Sequence, residues 1–195
     1  MPLSSKNKRI EEILSELCQE KIDLLDELYS LIKKDIYSFA LSKMKNSFDI
    51  DDIIQETIVT IYKNAKLYTP RGKPLAWIIT IENNLINKMY NDKNKFLELD
   101  ENIFNDKLII DDSKKYIDNG VLLKLLNHLN QDERQIISLH IVSDLKFKEI
   151  AQILNKPIST VLSKYNRSIK KIQSIAKEEE LWKELIWKTR LSLHL

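Results

Sequence analysis

The side chains with the clearest potential for chemistry lie between positions 158 and 173, where hydroxyl, amide and cationic groups recur at helical spacing. That stretch contains no carboxylate. Hydroxyls and amides hydrogen-bond to base edges and cations pair with phosphates, so the combination suits contact with duplex DNA. The set consists of Thr160, Ser163, Lys164, Asn166, Arg167, Lys170 and Lys171.

Two short helices joined by a tight turn are predicted to position this set. Asn155 can adopt the left-handed conformation that ends a helix, and Pro157 prevents the first helix from continuing. Ser159 is then predicted as the N-cap of the second helix. The layout is that of a helix-turn-helix DNA reader. The apolar face of the first helix comprises Phe147, Ile150, Ala151 and Leu154, and that of the second comprises Val161, Leu162, Tyr165, Ile169 and Ile172.

The same stretch has a plainer interpretation when it is taken alone. A basic helical face is usually solvated surface, and antiparallel helix pairs occur in many bundles. The rest of the chain must therefore decide between the two.

Composition favours an all-α protein. The 195 residues are 43% hydrophobic and include only two glycines and four prolines, so turns are scarce and the segments between them favour helix. The net charge of +2 is unevenly distributed. Acids dominate residues 11–35 and bases dominate residues 144–177, which suggests separate faces for separate partners.

Cysteine usage and hydropathy indicate a cytoplasmic protein without membrane insertion. Cys18 is the single cysteine, which excludes an intramolecular disulfide and fits a reducing compartment. We expect it to be buried or half-buried on a helix. No apolar run approaches the roughly 20 residues needed to span a bilayer. The first residues lack the apolar core of a signal peptide.

A second recognition surface is predicted around the helix of residues 75–91, which begins with Pro74 at its first position. Trp77, Ile81, Asn84 and Lys88 align on a face separate from its main apolar stripe. The plainer interpretation is that Trp77 packs against a neighbouring helix. The functional one is that the face meets an unpaired base by stacking and by amide contact.

The pattern divides the chain into two small helical domains joined by an acidic linker. Residues 1–91 form the first, with a break predicted near Glu20–Lys21, and residues 120–176 the second. Residues 92–119 lose helical periodicity and, fully extended, could span about 90 Å. Residues 177–195 are predicted as a helical extension that packs on the fold or makes a regulatory contact. A capping box is predicted at Asn130 and Glu133.

No catalytic or metal-binding arrangement emerges from the sequence. His128 and His140 stand without a second His, Cys or paired carboxylate at ligand spacing, and His140 is expected to be a packed side chain. No phosphate loop or nucleophile elbow is present. We therefore expect recognition without enzymatic activity, cofactor or metal.

Two stretches resemble bacterial RNA polymerase sigma factors. DDIIQETIVTIYKNAKLYTPRGKPLAWIITIENNLINKMY, residues 51–90, resembles their second conserved region. LNQDERQIISLHIVSDLKFKEIAQILNKPISTVLSKYNRSIKKI, residues 129–172, resembles their fourth. The short separation resembles the extracytoplasmic-function group of the sigma-70 family. The resemblance implies a subunit that binds core polymerase and directs promoter recognition, strand opening and initiation.

The resemblance also implies a role for particular residues. The partners it implies are core polymerase, through the largest-subunit coiled coil and the flap, and promoter DNA; an anti-sigma factor is a further candidate. The linker would thread the RNA channel of the polymerase. The residues implied to bind the polymerase are Asp51, Asp52, Ile53, Gln55 and Glu56. Those implied to contact minus-ten DNA are Tyr68, Arg71, Lys73, Trp77, Asn84 and Lys88. Those implied to contact minus-thirty-five DNA are Thr160, Ser163, Lys164, Arg167 and Lys171.

Three positions depart from the family pattern. Ile58 stands where Phe is usual, Lys88 where an Asp commonly follows the asparagine, and Ser159 where Gly precedes Thr-Val. The Lys88 departure suggests a different minus-ten base preference. Two other functions fit the residues: a self-sufficient helix-turn-helix regulator that binds duplex DNA alone, and a helical adaptor between proteins.

Overall fold

The computed structural model describes residues 4–19, 21–44, 47–96 and 125–178. Within these residues the chain is helical and contains no strand, as the scarcity of turn residues predicts. Short 3₁₀ turns at Ile22–Leu24 and Ala65–Leu67 and a π turn at Ser138–Val142 join the helices. The helices are α1 (Ser5–Leu17), α2 (Leu25–Lys43), α3 (Ser47–Asn64), α4 (Pro74–Phe96), α5 (Gln131–Ile137), α6 (Phe147–Ile153) and α7 (Ile158–Glu178).

The helix α2 is the centre of the fold. Every residue from Asp35 to Ser42 is buried, so no face of this segment meets solvent. It packs against α3 and α4 on one side and against α5 and the π turn on the other. Phe39 is its largest fully buried side chain. The apolar side chains of both halves of the chain consequently belong to one continuous core.

The N-terminal helices form largely as the periodicity predicts. The helix α1 starts at a Ser4 N-cap, whose Oγ accepts from the Asn7 N–H at 3.2 Å, and it ends at Leu17. The predicted break is confirmed, because a 3₁₀ turn at Ile22–Leu24 separates α1 from α2. Cys18 at the end of α1 is half-buried, as expected.

Pro74 begins α4, as predicted, because its missing N–H is not needed in the first turn of a helix. The end of α4 was placed too early. The helix was expected to stop near residue 91 but runs to Phe96, into the start of the predicted linker. The remainder of that linker, residues 97–119, the first residues of the predicted second domain, 120–124, and the tail after residue 178 lie outside the described part of the chain.

The helix-turn-helix is present, with one error in its capping. Asn155 has φ of 50°, the left-handed conformation predicted for the turn. The second helix begins at Ile158, so Ser159 lies inside its first turn and is not the N-cap. The reason is that the carbonyl of Pro157 already accepts the first helical hydrogen bond, from the Val161 N–H at 3.1 Å. Proline has no N–H to lose at a capping position.

Other details of the second half follow the sequence closely. Asn130 and Glu133 form the predicted capping box, with both reciprocal bonds at 3.0 Å. His140 is a packed side chain, as expected: its ring stacks on Phe147 at 4.2 Å. The prediction failed at Leu162, which was assigned to the apolar stripe but is 37% exposed, because it lies at the margin of the buried face of α7.

Two carboxyl groups lie inside the first half of the fold. Glu82 on α4 is fully buried, and neither of its oxygens has a hydrogen-bond partner among the described residues. Burial, followed by the charge of Asp35, raises the pKa of Glu82 well above its ordinary value, while Lys43 acts in the opposite direction. Burial also raises the pKa of Asp35, although Lys6 opposes the shift. Burial without a hydrogen-bond partner in the described part of the chain therefore favours the protonated form of Glu82.

Replacing Glu82 by glutamine tests this assignment. A carboxyl whose pKa is raised on folding stabilises the fold only at low pH, and stability falls as pH rises above the unfolded pKa of about 4.3. The free energy of unfolding of the wild type should fall by up to about 1.4 kcal/mol per pH unit above that pH. Glu82→Gln should escape this loss, so its stability relative to wild type should increase from pH 5 to pH 8 in urea titrations. Glu56→Gln, at an exposed position of α3, is the matched control. Parallel pH profiles for wild type and Glu82→Gln would show that Glu82 is ionised in the fold.

Candidate nucleic-acid interface

The exposed face of α7 carries the side chains predicted to contact DNA. Ser163, Arg167 and Lys171 are exposed, and Thr160 is half-buried beside them. Their spacing over nearly three turns places them along one side of the helix. Two bonds to carbonyls of α7 hold the polar atoms close to the helix: Ser163 Oγ donates to Thr160 at 3.0 Å, and Arg167 Nε donates to Ser163 at 3.3 Å.

Lys164 differs from the others because it already has an anionic partner. Its Nζ lies 3.0 Å from Oδ2 of Asp132 in the first turn of α5, and Lys156 Nζ lies 3.1 Å from the same oxygen. Burial opposes ionisation of this carboxyl, but the hydrogen bonds and charges of the two lysines prevail and lower the pKa of Asp132. Asp132 thus neutralises cations on the turn and on the recognition helix together.

A second site surrounds the loop between α3 and α4. The rings of Tyr68 and Trp77 lie 5.2 Å apart, tilted by 57°. Gly72 has φ of 70°, a conformation that other residues adopt only at a steric cost. Arg71 and Lys73 are exposed on either side of this glycine. The loop and the start of α4 border a cavity of about 390 Å³, lined on this side by Leu67, Tyr68, Thr69, Arg71, Lys73, Ala76, Trp77 and Thr80.

The two neighbouring asparagines of α4 have opposite environments. Asn84 and Lys88, predicted to face DNA, are exposed. Asn83 is 7% exposed and donates from Nδ2 to the Ile153 carbonyl at 2.9 Å, while its Oδ1 accepts from Lys43. Burial lowers the pKa of Lys43 to about 8, against the opposing charge of Glu82. Asn83 therefore belongs to the packing of the fold.

The acidic start of α3 forms a third surface. Asp51, Asp52, Gln55 and Glu56 are exposed, one helical turn apart in pairs. Ile53, predicted with them, is only 6% exposed and contributes to the core. The exposed part of this surface is consequently polar and anionic, and Ile53 anchors it from below.

The two halves of the chain lie directly against one another. Ser38 and Ser138 share a buried hydrogen bond of 2.9 Å, and Gln131 Nε2 donates to the Lys43 carbonyl at 2.8 Å. The helix α6 covers the loop site: Glu149 lies 3.4 Å from Lys73, and Glu149, Gln152 and Ile153 complete the lining of the 390 Å³ cavity. The first helix of the helix-turn-helix therefore forms one wall of the pocket that Tyr68 and Trp77 line.

Sequence reasoning missed two residues of these sites. Glu11 on α1 accepts hydrogen bonds from the loop, and Asp132 binds the lysines. Asp132 appears in sequence as an ordinary acid in the first turn of a helix, where the dipole favours it. Glu11 belongs to a helix whose acids suggest solvated surface. Each acts across a long sequence separation, so no local spacing could have identified it.

Within the described residues, no helix is long and apolar enough to cross a membrane. No group of three or more His, Cys, Asp or Glu side chains is placed to hold a metal ion there.

Comparison with known proteins places both halves in one family. Residues 28–96 match the model of sigma-70 region 2, and residues 120–172 match the model of sigma-70 region 4. The two matches together cover more than half of the chain, in the order that the sequence predicts. The chain belongs to the sigma-70 family of sigma factors, in its extracytoplasmic-function group.

Individual relatives agree with this assignment. The extracytoplasmic-function sigma factor EcfG of Rhodopseudomonas palustris is 24% identical over 153 residues, which are 78% of this chain and 84% of that protein. SigM of Bacillus subtilis, of the same group, is 22% identical over 134 residues, or 67% and 82% of the two chains. The fold is similar to that of the sigma factor RpoE in its complex with the anti-sigma factor NepR from Bartonella quintana, with a TM-score of 0.63 and 21% identity. The similarity covers 78% of this chain and 96% of that one.

As a sigma factor, the protein binds core RNA polymerase and directs promoter recognition. The resemblance identified in the sequence is thus confirmed. Sigma factors act by binding, and the family is not a class of enzymes.

Releasing the lysines from Asp132 should strengthen binding to DNA. We expect Asp132→Asn to bind a random duplex more tightly than wild type at low salt, because two ammonium groups become free for phosphates. Its affinity should also fall more steeply with salt, by about 0.9 in logarithmic slope for each additional phosphate neutralised. Fluorescence anisotropy over a series of salt concentrations measures both.

Two variants isolate the effect from net charge. Asp23→Asn removes a carboxylate from the distant 3₁₀ turn, so it changes the net charge equally without freeing the two lysines. The double variant of Asp132→Asn and Lys164→Gln should lose much of the increase in DNA affinity. Equal binding by Asp132→Asn and Asp23→Asn would mean that the pairing does not limit contact with DNA.

Proposed function

We propose that three separate surfaces carry out the work of this sigma factor. The anionic start of α3 binds the polymerase, the loop site at α4 captures a base of the minus-ten element, and the exposed face of α7 contacts the minus-thirty-five duplex. The observation that carries the proposal is the pairing of an aromatic-lined cavity with a basic recognition helix in one chain. These two sites suit single-stranded and duplex DNA respectively.

The polymerase surface is assigned to Asp51, Asp52, Gln55 and Glu56. These exposed side chains stand above Ile53, whose burial fixes the orientation of the helix. Acidic groups on a rigid helix favour a basic partner and raise the rate of encounter with it. The coiled coil of the largest polymerase subunit is the partner that the family resemblance implies, and the flap is assigned to the second half.

The minus-ten surface is assigned to Tyr68, Arg71, Lys73, Trp77, Asn84 and Lys88. A flipped base needs an aromatic surface on which to stack, and stacking contributes roughly 1–3 kcal/mol. Tyr68 and Trp77 line the cavity and supply such a surface. Arg71, Lys73 and Lys88 add positive charge for the phosphates on either side, while the exposed amide of Asn84 is free to read a base edge.

The minus-thirty-five surface is assigned to Thr160, Ser163, Lys164, Arg167 and Lys171. Arginine bonds well to guanine in the major groove, and hydroxyls and lysines contact bases or phosphates. Lys164 first has to leave Asp132, so its contact with DNA replaces an internal ion pair.

Reading both promoter elements requires the two halves to separate. The minus-ten and minus-thirty-five elements are named for positions about 25 base pairs apart. At 3.4 Å per base pair, this separation is about 85 Å. Asn83 beside the loop site is bonded to Ile153 of the helix-turn-helix at 2.9 Å. The packed arrangement is therefore a closed form, in which α6 forms one wall of the minus-ten pocket. Residues 97–124 connect the halves and are long enough to span about 90 Å when extended.

An anti-sigma factor is a further proposed partner. The relative RpoE was solved in complex with the anti-sigma factor NepR. A protein of that kind would favour the closed form of this chain if it contacted both halves at once. As a polymerase subunit the protein is proposed to act in the cytoplasm, on the nucleoid when it is bound to the enzyme.

Transcription from a promoter library tests the assignment of the surfaces. Core polymerase with the wild type should initiate at a defined subset of promoters, read by sequencing the start sites. The double variant Asp52→Lys with Glu56→Lys should lose co-purification with core polymerase. The double variant Lys164→Glu with Arg167→Glu should retain core binding but lose at least tenfold in transcripts, because charge repulsion replaces phosphate contact. Glu12→Lys on α1 is the matched surface control.

Other outcomes would contradict these assignments. Tight, sequence-specific duplex binding by the purified chain would mean that α7 does not need polymerase to bind DNA. Normal transcription by the Lys164→Glu and Arg167→Glu variant would mean that the basic face of α7 does not contact the minus-thirty-five duplex.

A disulfide across the buried Ser38–Ser138 contact tests the need for separation. The two Oγ atoms lie 2.9 Å apart, so cysteines at both positions are close enough to pair with modest adjustment. The pair is made in a Cys18→Ser background, which removes the single native cysteine. We expect the oxidised protein to be inactive in transcription, and reduction to restore activity, because a covalent bridge prevents the halves from moving apart.

The corresponding single-cysteine variants control for oxidation and reduction. Cross-linking is followed by mobility on non-reducing gels. Full transcription by the cross-linked protein would refute the requirement for opening, and failure of the free protein to cross-link would argue against the closed form in solution.

A further inference from the structure

Glu11 makes two hydrogen bonds to the loop that borders the minus-ten cavity. Its Oε1 accepts from the hydroxyl of Tyr68 at 2.6 Å and from the backbone N–H of Gly72 at 2.8 Å. One carboxylate oxygen thereby joins both ends of the loop. Bonds to an ionised acceptor are shorter and stronger than neutral ones, so this contact constrains the loop more than a neutral pair would.

The helix that carries Glu11 lies outside the residues that match the family model. That match begins at residue 28, whereas α1 spans Ser5–Leu17. The helix α1 is nevertheless held in the fold, because four of its apolar side chains are buried in the core. Glu11 follows one of these directly in sequence, and α1 contacts both α4 and the 3₁₀ turn before the loop. The buried side chains of α1 are Ile10, Ile13, Leu14 and Leu17.

The contact fixes features of the loop that matter for a base. Tyr68 has its ring 5.2 Å from that of Trp77, and Gly72 is held at φ of 70°. Burial, and then the hydrogen bond and charge of Glu11, raise the pKa of the Tyr68 phenol well above its ordinary value. The phenol therefore remains a hydrogen-bond donor throughout the physiological range, and its proton is directed at Glu11.

We propose that Glu11 is a positioning residue of the minus-ten pocket. It holds Tyr68 and Gly72 so that the ring of Tyr68 faces a captured base for stacking, while the tyrosine hydroxyl is occupied and takes no part in reading the base edge. Base identity then depends on the remaining polar groups, chiefly Asn84 and Lys88. The inference rests on the proposed minus-ten role of the loop and adds to it a residue from a different helix.

A purely structural role for Glu11 makes a different prediction. If Glu11 only attached α1 to the fold, its loss would weaken polymerase binding, duplex binding and promoter opening together. A positioning role affects the opening step selectively. The two roles are therefore separated by measuring the steps independently.

Four variants of the full-length protein make this separation. Glu11→Ala removes both bonds. Glu11→Gln is the conservative variant, since an amide oxygen has two lone pairs and can accept both. Tyr68→Phe retains the ring and loses the hydroxyl. Glu12→Ala alters the neighbouring residue, whose side chain is 46% exposed and pairs with Arg9, so it controls for changes to the surface of α1.

The readout is opening of a promoter recovered from the library, with 2-aminopurine placed in turn at each minus-ten position of the non-template strand. We expect Glu11→Ala in holoenzyme to reduce the opened fraction at limiting protein by at least about tenfold, the lower end of the effect expected for losing a single hydrogen bond to a charged group. Core affinity should stay within about twofold of wild type, since the α3 surface is untouched. Glu11→Gln should recover most of the opening.

The double variant of Glu11→Ala and Tyr68→Phe completes the test. Because both changes remove the same bond, their combined loss should be smaller than the product of the two separate losses. Melting temperatures of all variants identify any loss from unfolding of α1.

The outcomes are distinct. Opening by Glu11→Ala at the wild-type level overturns the inference, as does an equal loss in core binding and opening. Multiplicative losses in the double variant refute the link through Tyr68. Failure of the wild type to open any promoter would instead refute the proposed function, and it is recognised before any variant is compared.

Discussion

The packing of α2 between the two halves is the constraint on which the rest of the structure depends. A helix buried on all sides from Asp35 to Ser42 requires a partner on each face. The helices α3 and α4 supply one, and α5 with its π turn supplies the other. Ser38 of this segment bonds to Ser138, at a position where a larger side chain would keep the second half away. The closed form is thus built into the sequence of the central helix.

The same packing explains why so many of the functional side chains have partners inside the chain. Lys73 faces Glu149, Lys164 faces Asp132, and Ile153 lines the pocket beside Trp77. The two ion pairs are partly exposed, so exchanging them for nucleic acid costs little. The apolar side chains along the centre of α2 are buried. Opening the protein is therefore governed by the central helix, whereas the exposed ion pairs at the sites mainly tune affinity.

Two acids give the recognition surfaces their particular character. Asp132 pairs with two lysines, which our proposal would otherwise leave free for DNA, and Glu11 restrains the loop that we propose meets a melted strand. In our proposal each carboxylate binds a polar group that would otherwise be free to contact nucleic acid. A sigma factor has to release promoter DNA as well as bind it, and weak, pre-occupied contacts suit that requirement. Asp132 lies within the match to region 4, whereas Glu11 precedes the match to region 2.

The sequence by itself determined the local structure and the family. Helical periodicity, the turn at Asn155, the capping box at Asn130 and the start of α4 at Pro74 depend on neighbours within a few residues, so they are legible along the chain. The motif order identified both conserved regions. The errors also had local causes: the Pro157 carbonyl displaced Ser159 from the capping position, and Leu162 lay at the margin of a stripe.

Tertiary structure decided what each polar side chain does. Asn83 and Asn84 are adjacent and chemically identical, yet one is bonded to the helix-turn-helix and the other faces solvent. Glu82 is buried without a partner among the described residues, while Glu11, which appears in sequence as surface, anchors a loop about 60 positions away. These roles arise from contacts between distant segments. A pattern of neighbours specifies which face of a helix is apolar, but only the packing of whole helices specifies what that face, or a charge at its edge, will meet.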